Sequence, residues 1–166
     1  MPYQVGVMIV DRSGTGHLAW NQETNVIRTP RPRPFVLPYR KLDSFTAHKA
    51  VLDIQSYLDE CIHCGTFHRI RGFAYKKGNY HYCYEKKLIL LAQDGQALEF
   101  DMYNEERVDV AYSFPQEHFL FNTGYLCYVF DNALESGKIY DVIIRLKNRF
   151  DPKNIQDVVT NMKISK

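Results

Sequence analysis

The sequence lacks any apolar run long enough to span a bilayer, and it lacks the features of an export signal. A spanning helix needs about 20 consecutive apolar residues, and no such run occurs in the 166 residues. The apolar stretch YQVGVMIV at residues 3–10 has neither a basic leader nor a small-residue cleavage site, so it predicts a strand. We therefore expect a cytoplasmic protein without membrane association, whose four cysteines stay reduced.

Patterns typical of catalysis are also missing. The chain contains no G-x-S-x-G, H-E-x-x-H or H-x-E…C-x-x-C pattern, which excludes the commonest hydrolase, metalloprotease and deaminase signatures. SGTG at residues 13–16 precedes HLAW, which predicts a strand, whereas a phosphate-binding loop leads into a helix. His81 and Cys83 are two residues apart on a predicted strand, about 6–7 Å from each other, too far for a catalytic pair. We predict no catalytic residue and no cofactor.

Aromatic residues, in contrast, are abundant, with 12 Tyr, 10 Phe and one Trp. With 45% hydrophobic residues, the chain can bury a substantial core, which predicts a single domain over residues 1–166. The net charge is +2, but residues 28–87 carry +7 and residues 88–136 carry −8. This segregation favours a polar partner, although segments that interleave in space and neutralise each other explain it equally well.

Residues 28–41 hold four prolines and five basic residues. Each proline fixes φ and removes an amide donor, so this segment predicts an extended, polyproline-like loop. Long loops without secondary structure are uncommon and often functional, and the alternative is an ordinary connection across the open end of a sheet. The loop contributes the first group of predicted binding residues, which are Arg28, Arg31, Arg33, Arg40 and Lys41.

The strongest helical pattern lies in DSFTAHKAVLDIQSYLDECIHCG, residues 43–65. Asp43 or Ser44 can cap its start, and Gly65 suits the left-handed position after its last turn. The apolar positions step by four and three, as expected for one helical stripe. They are Ala47, Val51, Ile54, Leu58 and Cys61.

The rest of the chain predicts an antiparallel meander. The predicted strands are 66–75, 80–92, 97–103, 108–114, 125–130 and 141–147. Asp94-Gly95 predicts a hairpin, DNALES predicts a short helix, and DPKNIQDVVTNMK predicts a C-terminal helix capped by Asp151 with Pro152 at its first position. The predicted fold class is α+β, with one antiparallel sheet of about 6–8 strands packed on one long helix and a short C-terminal helix.

Metal-binding residue types concentrate in CIHCGTFHRIRGFAYKKGNYHYC, residues 61–83. A structural zinc ion needs four ligands within about 2.0–2.3 Å. In the hairpin closed by KKGN, Gly72 faces Cys83, which places this thiol on the order of 20 Å from Cys61 and Cys64. We therefore predict no metal site. A local ligand set remains geometrically possible, formed by Cys61, His63, Cys64 and His68.

The same predicted hairpin has one side rich in rings and guanidinium groups. Alternation places on that side Phe67, Arg69, Arg71, Phe73 and Tyr75 of its first strand and Tyr80, Tyr82 and Tyr84 of its second. Interleaved aromatic and arginine residues suit a protein interface or the stacking of nucleic acid bases. The alternative is a core face with arginines at its edge.

Three carboxylates form a further candidate in the predicted meander. Asp101 nearly faces Asp109, with Glu99 beside them. Such a group predicts either a site for Mg²⁺ or a cationic ligand, or else cover by a Lys or Arg of a neighbouring strand or a register that differs by one residue. We favour the second interpretation, because a hard cation needs more oxygen ligands than the sequence places there.

Together these features favour a non-enzymatic binding or accessory protein of the adaptor or inhibitor kind, with another protein as partner. The predicted binding residues are Arg28, Arg31, Arg33, Arg40, Lys41, Arg69, Arg71, Tyr75, Tyr80, Tyr82 and Tyr84. Tyrosine and arginine are frequent anchors of protein interfaces. The alternatives are a protein that binds single-stranded nucleic acid and a small-molecule enzyme with its pocket between helix and sheet.

Overall fold

The structure is a computed structural model, and it describes residues 6–10, 16–20, 38–48, 53–117 and 120–166. The chain divides into two compact units, Met1–Phe35 and Val36–Lys166. In the first unit, β1 (Gly6–Val10) pairs antiparallel with β2 (Gly16–Trp20), which confirms the two strands predicted there. That residues 1–166 form a single domain stays a prediction.

Nine described strands of the unit Val36–Lys166 form two antiparallel sheets. They are β3 (Tyr39–Leu42), β4 (Ile54–His63), β5 (Phe67–Lys76), β6 (Tyr84–Ala92), β7 (Ala97–Asp101), β8 (Tyr103–Glu105), β9 (Gly124–Phe130), β10 (Ile139–Asn148) and β11 (Ile155–Ser165). The five-stranded sheet has the order β11-β10-β6-β7-β3, and the four-stranded sheet has the order β4-β5-β9-β8. One α-helix, α1 (Val108–Ser113), and three short 3₁₀ turns complete the described part of this unit.

The two sheets pack face to face around one core. Alternation along the strands sends every second side chain inward, and the inward residues of both sheets form a single buried cluster that includes Ile70, Cys127, Val129, Leu88, Leu90, Val142 and Ile144. A side chain at Gly72 would not fit, because its Cβ would lie 2.5 Å from the Tyr125 hydroxyl oxygen. The glycine therefore lets the fully buried Tyr125 ring approach the β5 backbone.

The prediction of a long helix at residues 43–65 is wrong. Ile54–His63 form β4, which pairs with β5 along its length. The register shifts between Leu58 and Glu60, so a β-bulge lies at this point. Ile54 and Leu58 point inward before the bulge and Cys61 after it, and a period of two interrupted by one extra residue produces the same four-then-three spacing as a helix. Gly65 does have positive φ, at +84°, but in the turn between β4 and β5.

The predicted C-terminal helix is also wrong, since Ile155–Ser165 form β11. Asp151 to Asn154 make the turn that connects β10 to β11, in which the Asn154 amide donates to the Asp151 carbonyl oxygen at 3.0 Å. The Asp151 carboxylate accepts the Lys153 amide at 3.1 Å. Asp followed by Pro suits the start of a β-turn as well as the start of a helix. The β-branched residues that follow favour the strand.

Two further predictions about the meander fail. Residues 108–114 were predicted as a strand, but Val108–Ser113 form α1, so Asp101 faces Lys87 rather than Asp109. The hairpin predicted between strands 66–75 and 80–92 is not formed, because β5 pairs with β4 and β9, whereas β6 pairs with β10 and β7. The KKGN turn exists, with φ of +67° at Gly78, but the chain passes there from one sheet to the other.

Other predictions are confirmed. β6 and β7 form the hairpin predicted at Asp94-Gly95, with φ of +86° at Gly95, and β9 and β10 match the predicted strands 125–130 and 141–147.

The predicted fold class, α+β, is wrong, since the described residues form mainly two β-sheets and contain only one short α-helix. Of the predicted loop 28–41, residues 28–37 lie outside the described part, and Tyr39–Leu42 form β3. Among the described residues, no helix has the length and apolar character that a membrane span requires.

A candidate binding face on the four-stranded sheet

The outward side of the four-stranded sheet carries rings and guanidinium groups on adjacent strands. We define this aromatic face as Tyr57, Glu60 and Ile62 of β4, Phe67, Arg69, Arg71, Phe73 and Tyr75 of β5, Tyr103 and Glu105 of β8, and Leu126, Tyr128 and Phe130 of β9. Ile70 of β5 and Cys127 of β9 point the opposite way, into the core. The pairing places Phe67 opposite Phe130 and Arg69 opposite Tyr128, so alternation on separate strands produces one continuous surface.

The rings at one end of this face contact each other across three strands. The Phe67 ring meets Tyr128 edge-on with centroids 5.6 Å apart, and Phe130 at the same separation. Tyr103 of β8 extends the row, with its centroid 6.5 Å from that of Tyr128. These four side chains are half-buried by one another. Each of the four residues is therefore partly exposed at the surface of the sheet.

The charges on the aromatic face are paired within it. Arg69 Nε donates to Glu60 Oε2 at 2.8 Å, and Arg71 Nε donates to Glu105 Oε2 at 2.6 Å. The hydrogen bond to Glu105 raises the pKa of Arg71 above its usual range. Each guanidinium has a carboxylate partner, so the face presents paired charges and no net excess of positive charge.

Helix α1 packs against the other end of the aromatic face. Tyr75 is 2% exposed and forms a small cluster with Val110 and Leu120. Next to it, the Arg107 guanidinium lies 5.1 Å from the centre of the Phe73 ring. Arg107 also bonds the carboxylates of Asp59 and Asp109, and Asp59 lies at the β4 bulge. The bulge therefore helps to anchor the segment that contains α1.

The predicted binding residues occupy several different places. Arg28, Arg31 and Arg33 lie outside the described residues. Arg40 and Lys41 belong to β3 of the five-stranded sheet, where they pair with Glu99 and Glu135.

The predicted tyrosines do not share one side, because the hairpin that would align them is not formed. Tyr75 is 2% and Tyr84 5% exposed, and Tyr84 belongs to the shared core. Tyr80 and Tyr82 are exposed and stack with centroids 5.4 Å apart, in the segment that connects the two sheets. Of the predicted set, Arg69, Arg71 and Tyr75 lie on the aromatic face.

The sequence interpretation missed the part of the face that β8 and β9 contribute. GYLCYVF alternates in the same way as β5, so its pattern already separates Leu126, Tyr128 and Phe130 from the buried Tyr125 and Cys127. No local signal places β9 beside β5, since the two strands are far apart in the sequence. This non-local pairing is what assembles the face.

The carboxylates considered for a cation site each have a basic partner. Glu99 pairs with Arg40 at 2.7 Å, and Asp101 pairs with Lys87 at 2.6 Å. Arg40 is on β3 and Lys87 on β6, the two strands that flank β7. The favoured interpretation, cover by basic residues of neighbouring strands, is confirmed for these two carboxylates. Asp109 pairs instead with Arg107.

A polar cavity lies at one open end of the two-sheet core. Lys86 is 6% exposed there, and its Nζ donates to the Asn122 carbonyl oxygen at 3.1 Å. Within the part of the chain that the structure describes, no carboxylate lies within ion-pair distance of this ammonium group. Burial, and to a smaller extent the charge of Arg149, lowers the pKa of Lys86 to about 8. The cavity of about 370 Å³ is also lined by His81, Tyr82, Tyr84, Asn104, Asn122 and Arg149.

Metal-ligand residue types come together at the opposite end of the core. Among the described residues, one group of three such side chains has its ligand atoms within 4.8 Å of one another, formed by His63, His68 and Asp131. None of the cysteines in the described ranges belongs to it. Burial raises the pKa of the Cys127 thiol to about 12 and that of Cys61 above its usual value, which keeps these two thiols protonated near neutral pH.

The chain matches no protein-family model, no curated protein and no solved structure.

Proposed function

We propose that the protein is a non-enzymatic binding or accessory protein that recognises another protein through the aromatic face of its four-stranded sheet. The observation that carries this proposal is the row of half-buried rings, Phe67, Tyr128, Phe130 and Tyr103, next to two arginines. Aromatic residues and arginine are enriched among the residues that dominate binding energy in protein interfaces. A partner that covers these rings would remove their remaining apolar surface from water.

Charge pairing favours a protein over a nucleic acid as the partner. A phosphate that binds Arg69 or Arg71 would have to compete with Glu60 or Glu105, which already lie within hydrogen-bond distance. A protein surface with an apolar centre needs no such exchange. Single-stranded nucleic acid is therefore the second candidate, supported by the same rings as stacking surfaces.

The enzyme alternative loses its structural basis in the described region. It requires a pocket between a long helix and the sheet, and the helix expected at residues 43–65 is replaced by β4 over Ile54–His63. The basic segment with Arg28, Arg31 and Arg33 lies outside the described residues. Its contribution to partner binding stays a prediction.

The test is a comparison of two matched surface variants of the full chain. Tyr128→Lys changes the centre of the aromatic face, and Val159→Lys places the same residue on β11, where Val159 is 62% exposed. Immobilised wild type and variants are incubated with lysate of the cells that express the protein, with and without nuclease treatment, and the bound proteins are quantified by mass spectrometry. The partner is then purified, and its affinity for each variant is measured by calorimetry.

We expect at least one protein to bind the wild type and the Val159→Lys variant equally and to bind Tyr128→Lys at least about tenfold more weakly, since truncating a central anchor costs 2 kcal/mol or more. Equal binding of every partner to all three proteins would refute the proposed face. Loss of the captured proteins on nuclease treatment would favour nucleic acid.

A further inference from the structure

We propose that His63, His68 and Asp131 form a binding site for a divalent transition-metal ion, of which Zn²⁺ fits best. Each side chain offers one ligand atom, and the three atoms lie within 4.8 Å of one another. This inference is independent of the proposed partner-binding function, because its residues lie on the inward side of the four-stranded sheet rather than on the aromatic face.

Backbone pairing brings the three residues together. His63 ends β4 and lies directly opposite His68 of β5, so the two imidazoles share one side of the sheet. Asp131 follows β9, and its amide donates to the Thr66 carbonyl oxygen at 3.0 Å. Two ligands therefore lie on adjacent strands and the third starts the turn directly after the next strand, and such a site is more rigid than one built on loops alone.

The spacing of the ligand atoms suits a single ion. His63 Nε2 lies 3.1 Å from both carboxylate oxygens of Asp131, and the centres of the two imidazole rings are 4.6 Å apart. Zinc binds imidazole nitrogen and carboxylate oxygen at about 2.0–2.2 Å, which places two tetrahedral ligands about 3.3 Å from each other. The pair His63–Asp131 therefore needs little movement to bind one ion.

His68 has the outer hydrogen bond that metal-binding histidines typically show. Its Nε2 lies 2.9 Å from the Ser165 carbonyl oxygen, and a carbonyl oxygen only accepts, so Nε2 carries the proton. The neutral ring then keeps its lone pair on Nδ1. A carbonyl partner of this kind fixes the tautomer and orientation of a ligating imidazole. Because Ser165 belongs to β11, this bond also connects the site to the five-stranded sheet.

The donor set determines the class of metal. Two imidazoles and one carboxylate suit Zn²⁺ and other first-row transition ions, whereas Mg²⁺ and Ca²⁺ prefer oxygen ligands. Three protein ligands leave a coordination position for water or a small molecule. Asp131 also lines a cavity of about 390 Å³ together with Thr66, Phe130, Asn132 and Lys166.

The test measures Zn²⁺ binding to the full chain after chelation and removal of the chelator. Calorimetry gives stoichiometry and affinity, and the visible spectrum of the Co²⁺-loaded protein reports the ligand types. His63→Ala removes one ligand, and Asp131→Asn replaces a charged carboxylate ligand by a neutral, weaker amide oxygen; because His63 is exposed, we expect the fold to tolerate its replacement. Cys64→Ser is the matched control, since it changes an exposed thiol next to His63 that is not part of the group. Circular dichroism without metal verifies that each variant is folded.

We expect one Zn²⁺ per chain, a loss of affinity of at least about 100-fold in His63→Ala and in Asp131→Asn, and unchanged binding in Cys64→Ser. Losing even an outer-shell partner typically costs 10–100-fold. We also expect a Co²⁺ spectrum of nitrogen and oxygen ligands without a thiolate band. A wild type that binds no Zn²⁺, equal affinity in His63→Ala, or a thiolate band that disappears in Cys64→Ser would each overturn the proposal.

Discussion

The outward faces of the two sheets differ, although their inward faces contribute to the same core. On the five-stranded sheet, Leu42 and Phe45 pack over Ile89, Ala97 and Ile143, so the chain covers the middle of this face with its own residues 42–48. On the four-stranded sheet, α1 covers one end, while Tyr57 and Ile62 are 62% and 44% exposed. The described residues thus cover the middle of the first face, whereas they leave much of the second face uncovered.

The arginine–carboxylate pairs on the two outward faces differ in their exposure to solvent. Under the cover, Arg145 binds Asp157 through two hydrogen bonds of 2.7 and 2.9 Å, and these residues are 9% and 3% exposed. On the aromatic face, the Arg69 and Glu60 side chains bond at similar distances but are 40% and 30% exposed. The same kind of ion pair is therefore buried on one sheet and partly exposed to solvent on the other.

The largest expected effect on the free energy of unfolding is that of Asp157→Ala. This change removes both short hydrogen bonds of the buried Arg145 guanidinium, leaves it the more distant Glu99 carboxylate at 3.9 Å, and removes the acceptor of the His48 amide. Breaking a buried ion pair by removing one partner costs about 3–5 kcal/mol. We expect a decrease of that size in the free energy of unfolding, measured by urea denaturation.

The matched control is Glu60→Ala, which breaks the pair with Arg69 on the aromatic face. Exposed pairs contribute about 0–1 kcal/mol, so the unfolding midpoint should change little. Equal losses in the two variants would contradict the distinction between a covered and an uncovered face.

Lys86 extends the comparison to the inward faces, because it places one ammonium group at the end of an otherwise apolar core. Burial lowers its folded pKa from 10.5 to about 8, so between these values the unfolded chain binds one more proton than the folded chain. The free energy of unfolding therefore rises with pH across this window, by a total of about 3 kcal/mol, and the buried charge destabilises the fold below it.

The measurement compares urea unfolding of wild type and Lys86→Met between pH 7 and pH 10.5. We expect the variant to be the more stable at pH 7, by up to about 3 kcal/mol, and this advantage to disappear as the pH approaches the upper limit. Other groups that titrate in the same window act on both proteins and cancel in the difference. A constant difference across the range would show that Lys86 stays charged in the folded protein.

Much of the local structure is predictable from the sequence, and the failures have physical causes. Alternation predicts β5, β9 and β10, and Asp94-Gly95 predicts the β6–β7 hairpin, because these signals depend only on neighbouring residues. The helix prediction for residues 43–65 fails because the bulge next to Leu58 gives β4 the spacing of a helical stripe. The C-terminal helix fails because Asp151-Pro152 starts a turn.

The candidate sites are likewise predictable from the sequence only where they depend on neighbouring residues. The pattern of β5 predicts Phe67, Arg69 and Arg71 on one side, and the structure places them on the aromatic face. The neighbours of these residues on β8 and β9 come from pairings between distant segments, which no local pattern encodes. The metal proposal has the same origin. His63 and His68 are considered from the sequence together with two cysteines, whereas the third ligand, Asp131, enters only through the pairing of β5 with β9.

The smallest effect on stability, and the sharpest test of the partner class, is expected from the double variant Glu60→Gln and Glu105→Gln. It frees the Arg69 and Arg71 guanidinium groups from their carboxylates at a cost of less than about 1 kcal/mol per exposed pair. If paired charges are what disfavours nucleic acid, the variant should gain weak binding to a labelled single-stranded oligonucleotide that the wild type lacks. With two phosphate contacts, the logarithm of the association constant should fall with the logarithm of the salt concentration, with a slope of about −1.4.

Asp141→Asn with Glu85→Gln is the matched control for this gain, because it changes the net charge equally on the five-stranded sheet, where these residues pair with Lys163 and Lys87. The measurement is fluorescence anisotropy over a range of salt concentrations. An equal gain in the control would assign the effect to net charge alone. Steep, salt-dependent binding by the wild type itself would contradict the proposal that the protein disfavours nucleic acid.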